Sequence, residues 1–322
     1  MEKVRLAVFG LGRIANSGHL PAITACKDVI DLIAVVDPIE EKAKAAYEKY
    51  SPKKMYLSQE EALADPEIEA VALCLPHFLH APVAVAACKA GKHVLVEKPM
   101  AINTADADEM IAAADAAGVT LMIGQSRRFH LAILECKKRF AEIGKPLQLI
   151  TNWMGFLPGA QTEWWRSVDK AGGLLIPLQG SHAVDFILWM LEKTPTTVYA
   201  QSAHNNDEWE GEDEAVIQMG FDDGTIGTIL LSFNAKGMPY ERFIVGSKGV
   251  IYTAGETLLK INDQEIINGE EPNSSFQRQY REYVAAIREG REPLASGKEV
   301  RKVIVTLDAV HRSIREGSVV RI

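Results

Sequence analysis

Apolar and polar residues alternate along the first 124 residues in two periods, one typical of buried strands and one typical of helices. Short apolar runs suit strands of a parallel sheet buried on both faces, and most of them precede a stretch with helical spacing. The predicted strands lie at residues 3–9, 30–36, 54–57, 70–75, 93–96 and 120–124. Strands that alternate with helices predict right-handed crossovers and a doubly wound, Rossmann-type parallel sheet.

The second half of the chain changes rhythm, because its strand-like runs follow one another with fewer helices between them. The step Asp223-Gly224 predicts a hairpin, since it accepts positive φ at low cost. Successive hairpins predict a mainly antiparallel sheet. Its strands are expected at 147–156, 197–203, 215–221, 225–234, 241–246 and 250–253, with helices at 130–142, 180–192, 275–289 and 298–316. The chain therefore divides into a first domain, 1–124, and an α+β second domain, 125–322.

The second sheet has few helices to cover it and is expected to leave one face open. An open apolar face usually finds a partner subunit. We therefore expect a homodimer or homotetramer assembled through this face.

Composition limits the classes of binding partner and the cell compartment that we expect. The net charge of −8 argues against nucleic acid as the main partner. No apolar run approaches the roughly 20 residues of a membrane helix. The four cysteines show no C-x-x-C spacing, and the N-terminus carries no signal-peptide core. We expect a cytoplasmic protein without a membrane partner.

The hexapeptide GLGRIA at residues 10–15 has the G-x-G-x-x-A form of a dinucleotide fingerprint and lies between the first strand and a helix. Gly10 permits the tight turn, Gly12 lets the backbone approach a pyrophosphate, and Ala15 is small enough for close helix packing. We expect cofactor contacts from Gly10, Gly12, Arg13 and Ile14. The first domain is therefore predicted to bind a dinucleotide.

Asp37 ends the second strand, where a carboxylate accepts hydrogen bonds from a ribose diol. Its charge would repel a 2′-phosphate, so NAD is favoured over NADP, which remains possible. The alternative is that Asp37 only forms the turn before Pro38.

Glu97-Lys98-Pro99 closes the fifth strand. Pro99 keeps Lys98 out of helical backbone, so the strand does not turn directly into a helix. Ligands of open α/β sheets bind beyond the carboxyl ends of the strands. Lys98 is therefore a candidate donor or acid and Glu97 a candidate cofactor contact. The alternative is a surface lysine that happens to precede a proline.

Pro76 and His80 lie beyond the fourth strand, at the same edge of the predicted sheet. There they could border the nicotinamide or a phosphate. Equally, Pro76 could only end the strand and His80 only begin the next helix.

His182 is the candidate catalytic residue of the second domain and follows a glycine-containing segment. Ser181 is a plausible N-cap, which would place His182 in the first helical turn. There the helix dipole disfavours the protonated imidazole, so a neutral base is expected. Asp185, three residues on, could orient the ring or cap an amide, and it is also a candidate substrate contact. The alternative is a structural histidine at a helix start.

Other side chains suit a small polar ligand. The flat ring of Trp165 suits the face of a sugar, and the guanidinium of Arg166 suits its hydroxyls. For Trp164 we instead expect packing within the loop. Arg128, at the domain joint, is a further candidate substrate contact. The acidic run 208–214 lacks the ligand spacing of a calcium loop, so a solvated loop is predicted and no metal site.

Together these motifs resemble the glucose–fructose oxidoreductase / inositol dehydrogenase / rhizopine-catabolism family over nearly the whole length. The resemblance rests on residues 10–15, Leu75-Pro76 with His80, the segment 91–99, and Gly180-Ser181-His182 with Asp185. It implies a two-domain NAD(P)-dependent oxidoreductase that acts on a sugar, a polyol or a related small hydroxy or carbonyl compound. Lys98 and His182 fall on the family's catalytic lysine and histidine.

The chain departs from the family pattern at one position. The family commonly has an aspartate four residues before the histidine, where this chain has Leu178, with Gln179 beside it as a candidate substrate contact. We expect His182 to take the hydroxyl proton and Lys98 to stabilise the developing alkoxide. The alternatives are a dinucleotide-bound sensor without turnover, motivated by Leu178, and an NAD-using glycosidase.

Overall fold

The computed structural model describes residues 2–237, 240–269 and 274–322. The chain forms two compact units. The first consists of Met1–Ala101, Ala105–Ser126 and Asn273–Arg301, and the second of Ile102–Thr104, Arg127–Pro272 and Lys302–Ile322.

The first unit is built on a parallel sheet of six strands. These are β1 (Val4–Phe9), β2 (Ile30–Val36), β3 (Lys54–Tyr56), β4 (Ala70–Leu73), β5 (His93–Glu97) and β6 (Leu121–Gly124). They lie in the order β3-β2-β1-β4-β5-β6, and every neighbouring pair is parallel. The strand order reverses beside β1, which places the ligand-binding crevice of such a sheet at the carboxyl ends of β1 and β4. The predicted doubly wound sheet is confirmed.

Ten α-helices occur in the described residues. They are α1 (Leu20–Ala25), α2 (Glu40–Tyr50), α3 (Gln59–Ala64), α4 (His80–Lys89), α5 (Thr104–Ala117), α6 (Leu131–Arg139), α7 (Val168–Ala171), α8 (Ser181–Leu191), α9 (Ser275–Glu289) and α10 (Gly297–Glu316). Two π-helical turns, Ala15–His19 and Ile176–Gly180, run directly into α1 and α8. Short 3₁₀ turns lie at His77–Leu79, Ser126–Phe129, Phe140–Ile143 and Glu163–Arg166.

Helix α9 belongs to the first unit, although the sequence division places its residues with the second domain. Its N-terminus carries a full capping box formed by Ser274 and Gln277. Arg288, near its end, forms an ion pair with Glu69. The chain that follows α9 continues along β6, because the Ala295 carbonyl accepts the Ile123 N–H at 2.8 Å. The assignment of residues 273–301 to the first unit therefore depends on long-range packing, which leaves no signal in the local sequence.

The second unit contains a sheet of nine strands. They are β7 (Pro146–Met154), β8 (Thr197–Ala203), β9 (Glu214–Gly220), β10 (Ile226–Ser232), β11 (Glu241–Gly246), β12 (Gly249–Ala254), β13 (Leu258–Ile261), β14 (Gln264–Asn268) and β15 (Val320–Arg321). Their order is β14-β13-β12-β11-β7-β10-β9-β8-β15. All neighbouring pairs are antiparallel except β10 and β7, which run parallel. The predicted mainly antiparallel sheet is confirmed.

One helical segment of the described chain, Val168–Leu191, is long and apolar enough to cross a membrane by length and composition. Its most apolar window is 89% buried inside the protein. Such burial is typical of a core helix.

Candidate active site

The glycine loop after β1 has the geometry that the fingerprint predicts. Gly10 adopts φ +83°, and a Cβ there would lie 2.5 Å from the Cys74 carbonyl oxygen, so only glycine fits. A Cβ on Gly12 would meet no atom within 4 Å, so open space lies beside this part of the loop. Arg13 and Ile14 follow with exposed side chains. The loop therefore fits a pyrophosphate held against its backbone.

Asp37, just beyond β2, is buried and joins this loop to the strand. Its Oδ2 accepts the Leu11 N–H at 2.8 Å, and its Oδ1 accepts the Ile39 N–H at 2.9 Å. Each carboxylate oxygen has two lone pairs, so both can accept a further hydrogen bond from a ribose hydroxyl. Asp37 therefore holds the glycine loop in place, and its oxygens can still accept hydrogen bonds from a ligand.

Replacing Asp37 by asparagine is expected to weaken NAD binding by about 10- to 100-fold. This loss corresponds to roughly 1.5–3 kcal/mol for hydrogen bonds to a charged group. The preference for NAD over NADP should fall as well, because the charge that repels a 2′-phosphate is gone. Titration of both cofactors by calorimetry measures the two effects. Asp31→Asn, at the other end of β2, is the matched control, and an unchanged NAD/NADP ratio in Asp37→Asn would contradict the assignment.

Lys98 directly follows the carboxyl end of β5, and the Lys98–Pro99 peptide bond is cis. Glu97 is buried, and its Oε2 accepts the backbone N–H of Lys98 at 3.1 Å. Its Oε1 faces His19 Nε2 at 2.9 Å. These contacts give Glu97 a supporting role beside Lys98, while its predicted contact with the cofactor stays a prediction.

Pro76 and His80 lie beyond the end of β4, as predicted. His80 is fully buried, with Nδ1 2.8 Å from the Pro99 carbonyl oxygen and Nε2 2.9 Å from the Leu75 carbonyl oxygen. Burial lowers the pKa of His80 below its ordinary value, although both carbonyl oxygens oppose this shift. The ring therefore ties the segment after β4 to the segment after β5, which favours the structural interpretation of His80.

His182 is buried in α8, but the predicted N-cap at Ser181 is wrong. Helical backbone continues through the π-helical turn Ile176–Gly180 into α8, and the Ser181 hydroxyl donates to the Pro177 carbonyl at 2.7 Å. His182 therefore does not lie at a free helix N-terminus, and the helix-dipole argument for a neutral imidazole no longer applies.

A buried ion pair lies one turn beyond His182. Arg128 Nε donates to Asp185 Oδ2 at 2.8 Å, and Arg128 Nη2 donates to Asp185 Oδ1. The guanidinium also lies over the Trp189 ring, 5.2 Å from its centroid. Because Arg128 and Asp185 neutralise each other in the interior, they are better suited to supporting the helix than to binding substrate directly.

The acidic run at 208–214 was predicted as a solvated loop, and Glu208 and Glu210 are exposed, but Glu212 supports the segment before His182. The Glu212 Oε1 accepts the N–H groups of Leu174 at 3.1 Å and Ile176 at 2.8 Å. Glu212 thus caps the helical backbone that leads to His182, a role that no local spacing indicates. No group of His, Cys, Asp and Glu suited to a metal occurs among the residues described.

The predicted substrate contacts all lie in the second unit. Trp165 and Arg166 belong to the 3₁₀ turn Glu163–Arg166, where Arg166 forms an ion pair with Glu208 at 2.9 Å. Gln179 lies three residues before His182, and its Oε1 accepts Arg127 Nη2 at 2.9 Å. Leu178 is buried. Arg127, rather than Arg128, is the arginine that reaches the turn before His182, which the sequence could not decide.

Comparison with known proteins matches both halves of the chain. Residues 4–125 match the model of the oxidoreductase family with an NAD-binding Rossmann fold, and residues 137–252 match the C-terminal domain of the GFO/IDH/MocA family. The chain belongs to this oxidoreductase family. This match confirms three predictions: the family, the enzymatic nature of the protein, and its use of a nicotinamide cofactor.

Full-length relatives agree with this assignment. The chain is 28% identical to myo-inositol 2-dehydrogenase from Thermotoga maritima, with 97% of each chain covered. It is 29% identical to D-xylose 1-dehydrogenase (NADP(+)) 2 from Haloferax volcanii, with 98% of each covered. The crystal structure of aldose-aldose oxidoreductase from Caulobacter crescentus complexed with glycerol superimposes with a TM-score of 0.92 at 26% identity, covering all of both chains.

Proposed function

We propose that this oxidoreductase moves a hydride between NAD and a carbon of a sugar, polyol or related small hydroxy compound. Lys98 and His182 are its proposed catalytic residues. The observation that carries the proposal is the position of Lys98. It follows β5, at the same sheet edge as the glycine loop after β1.

Bound NAD would supply the hydride acceptor. In the oxidative direction the C–H bond breaks with both electrons leaving as hydride, and the hydroxyl proton passes to the imidazole of His182. The Lys98 ammonium donates a hydrogen bond to the oxygen as negative charge develops on it. The reverse steps reduce a carbonyl to the hydroxyl.

The substrate class is proposed from side chains of the second unit and from relatives. Trp165 offers an apolar ring beside the guanidinium of Arg166, and Gln179 is held by Arg127 close in sequence to His182. Myo-inositol, D-xylose and an aldose appear in the names of the matched proteins. We further propose a cytoplasmic location with no nucleic-acid or membrane partner.

The proposal is tested by following nicotinamide absorbance with NAD and NADP over a panel of sugars and polyols in both directions. Turnover of at least one panel compound is expected. Cofactor binding without turnover of any compound would contradict the proposal and favour a sensor. Release of the aryl alcohol from an aryl glycoside, without net change in the nicotinamide, would instead indicate a glycosidase.

We also propose that the open face of the second sheet joins two copies of the chain. Phe243 on this face lies opposite Ile150 and Tyr252 on the neighbouring strands. Four apolar side chains of the face are more than a third exposed in the single chain: Val216 at 42%, Ile226 at 46%, Phe243 at 36% and Val250 at 38%. Exposed apolar side chains on one face of a sheet are typical of an interface.

Phe243→Glu is expected to weaken this assembly by about 30-fold or more, since a central aromatic contact is worth about 2 kcal/mol. Analytical ultracentrifugation over a range of protein concentrations measures the change. Leu131→Glu is the matched control, because Leu131 lies in α6, outside the sheet, and is 37% exposed. Equal weakening by both variants, or by neither, would exclude the open face as the interface.

A further inference from the structure

A buried hydrogen-bonded cluster in the first unit ends at the backbone of Lys98. His19 is fully buried, with Nδ1 2.7 Å from the Tyr280 hydroxyl and Nε2 2.9 Å from Glu97 Oε1. The other carboxylate oxygen of Glu97 accepts the Lys98 N–H at 3.1 Å. The π-helical turn before α1, strand β5 and helix α9 therefore meet next to the proposed catalytic lysine.

Close packing leaves this cluster little room to rearrange. The His19 ring packs edge-on against Phe276, with centroids 5.0 Å apart. A Cβ on Gly18 would lie 2.7 Å from the Phe276 ring. A Cβ on Gly124 would lie 2.9 Å from Glu97 Oε1. Glycine at position 18 leaves room for the Phe276 ring that packs on His19, and glycine at position 124 leaves room for the Glu97 carboxylate. The geometry of the cluster is therefore tightly restrained.

The pKa shifts of His19 and Glu97 favour a charged pair at neutral pH. Burial alone would lower the pKa of His19, but the contacts with Cys74 and Glu97 outweigh it and raise the pKa to about 10. Burial alone would raise the pKa of Glu97, but the hydrogen bond and charge of His19 hold it below its ordinary value. With both ring nitrogens protonated, Nε2–H donates to the carboxylate and Nδ1–H donates to the Tyr280 oxygen.

We propose that His19, Glu97 and Tyr280 are positioning residues that hold Lys98 in place for the reaction. The imidazolium keeps the Glu97 carboxylate ionised and oriented, and the carboxylate holds the Lys98 N–H. Tyr280 completes the arrangement by accepting a hydrogen bond from the Nδ1–H of the imidazolium. This inference rests on the proposed function for its effect on turnover, although the hydrogen bonds can be tested separately.

The chain supplies a matched pair of tyrosines for the test. Tyr280 and Tyr283 are both fully buried in α9, but the Tyr283 hydroxyl has no hydrogen-bond partner among the described residues. Tyr280→Phe is expected to lower kcat about fivefold, the worth of one net hydrogen bond, with little change in KM for the cofactor. Tyr283→Phe should leave kcat unchanged. Glu97→Gln, which removes the charge that orients Lys98, should lower kcat about 100-fold.

A second readout does not depend on turnover. In ¹⁵N-labelled protein, the Lys98 amide and the His19 ring resonances should shift in Tyr280→Phe but stay in place in Tyr283→Phe. The His19 ring should also remain protonated at neutral pH. If the wild type turned over no substrate, the proposed function would fail while these shifts still tested the cluster. A neutral His19, or equal effects of the two tyrosine variants, would overturn the inference.

The raised pKa of His19 also predicts a pH dependence of stability. The folded state binds this proton more tightly than the unfolded chain, whose histidine has a pKa of 6.5. The contribution of His19 is therefore complete below about pH 6.5 and is lost as the pH rises through about 10. Chemical unfolding of the wild type should show this decline, and His19→Gln should lack it. Parallel pH curves for the two proteins would contradict a charged cluster.

Discussion

Lys98→Ala is expected to lower kcat by about 100- to 1,000-fold, the typical effect of removing one donor to a developing oxyanion. Binding of NAD should change little, because the glycine loop and Asp37 remain intact. Stopped-flow or steady-state measurement of nicotinamide absorbance gives the rate, and calorimetry gives the cofactor affinity. The loss should therefore appear in kcat far more than in cofactor binding.

Lys89→Ala is the control for this experiment, since Lys89 is exposed at the end of α4 in the same unit. Its kcat should equal that of the wild type. Lys98→Ala with a wild-type rate would show that the side chain is not used in the chemical step.

His182→Ala is expected to lower kcat by about 100- to 10,000-fold, the range for loss of a positioned general base. The remaining oxidation should accelerate with rising pH more steeply than in the wild type, because hydroxide or the ionised substrate must then replace the missing base. Rates measured from acid to alkaline pH test both statements.

His204→Ala serves as the matched variant, because His204 lies in an exposed loop of the second unit and contacts the Asn206 and Trp209 carbonyls. A pH profile of His182→Ala that followed the wild type would exclude proton transfer by this imidazole. A loss of the same size in His204→Ala would point to a structural effect instead.

The sequence predicted the first sheet well because each buried parallel strand forms a compact apolar run. Residues 30–36, for example, were predicted with the bounds that β2 has. Strands β13, β14 and β15 were missed. β13 and β14 are short and carry polar residues, and β15 has only two residues, so the strand period is not visible.

The start of the helix that carries His182 was misplaced for a physical reason. The helix was predicted to begin at residue 180, with Ser181 as its N-cap. Helical backbone begins earlier, because Pro177 is tolerated in a first helical turn, where its missing N–H would lack a partner. The cap is supplied by Glu212, more than thirty residues further along the chain. Caps from distant loops leave no signature in the local sequence.

The position of Lys98 after its strand followed from the strand pattern, but the residues that support Lys98 and His182 did not follow from any local pattern. Tyr280 is separated from its partner His19 by 261 residues, and Arg128 from Asp185 by 57. Only the folded arrangement brings these side chains into contact. Local spacing identifies candidate chemical groups, whereas long-range packing determines what holds them.

The central claim is that Lys98 and His182 act on the same hydroxyl group. The most direct test is a crystal structure with NAD and a polyol that the enzyme oxidises. The account predicts Lys98 Nζ and one imidazole nitrogen of His182 both within about 3 Å of the oxygen on the carbon that faces the nicotinamide. A bound, reactive polyol whose oxygen there contacts only one of these groups, or neither, would contradict it.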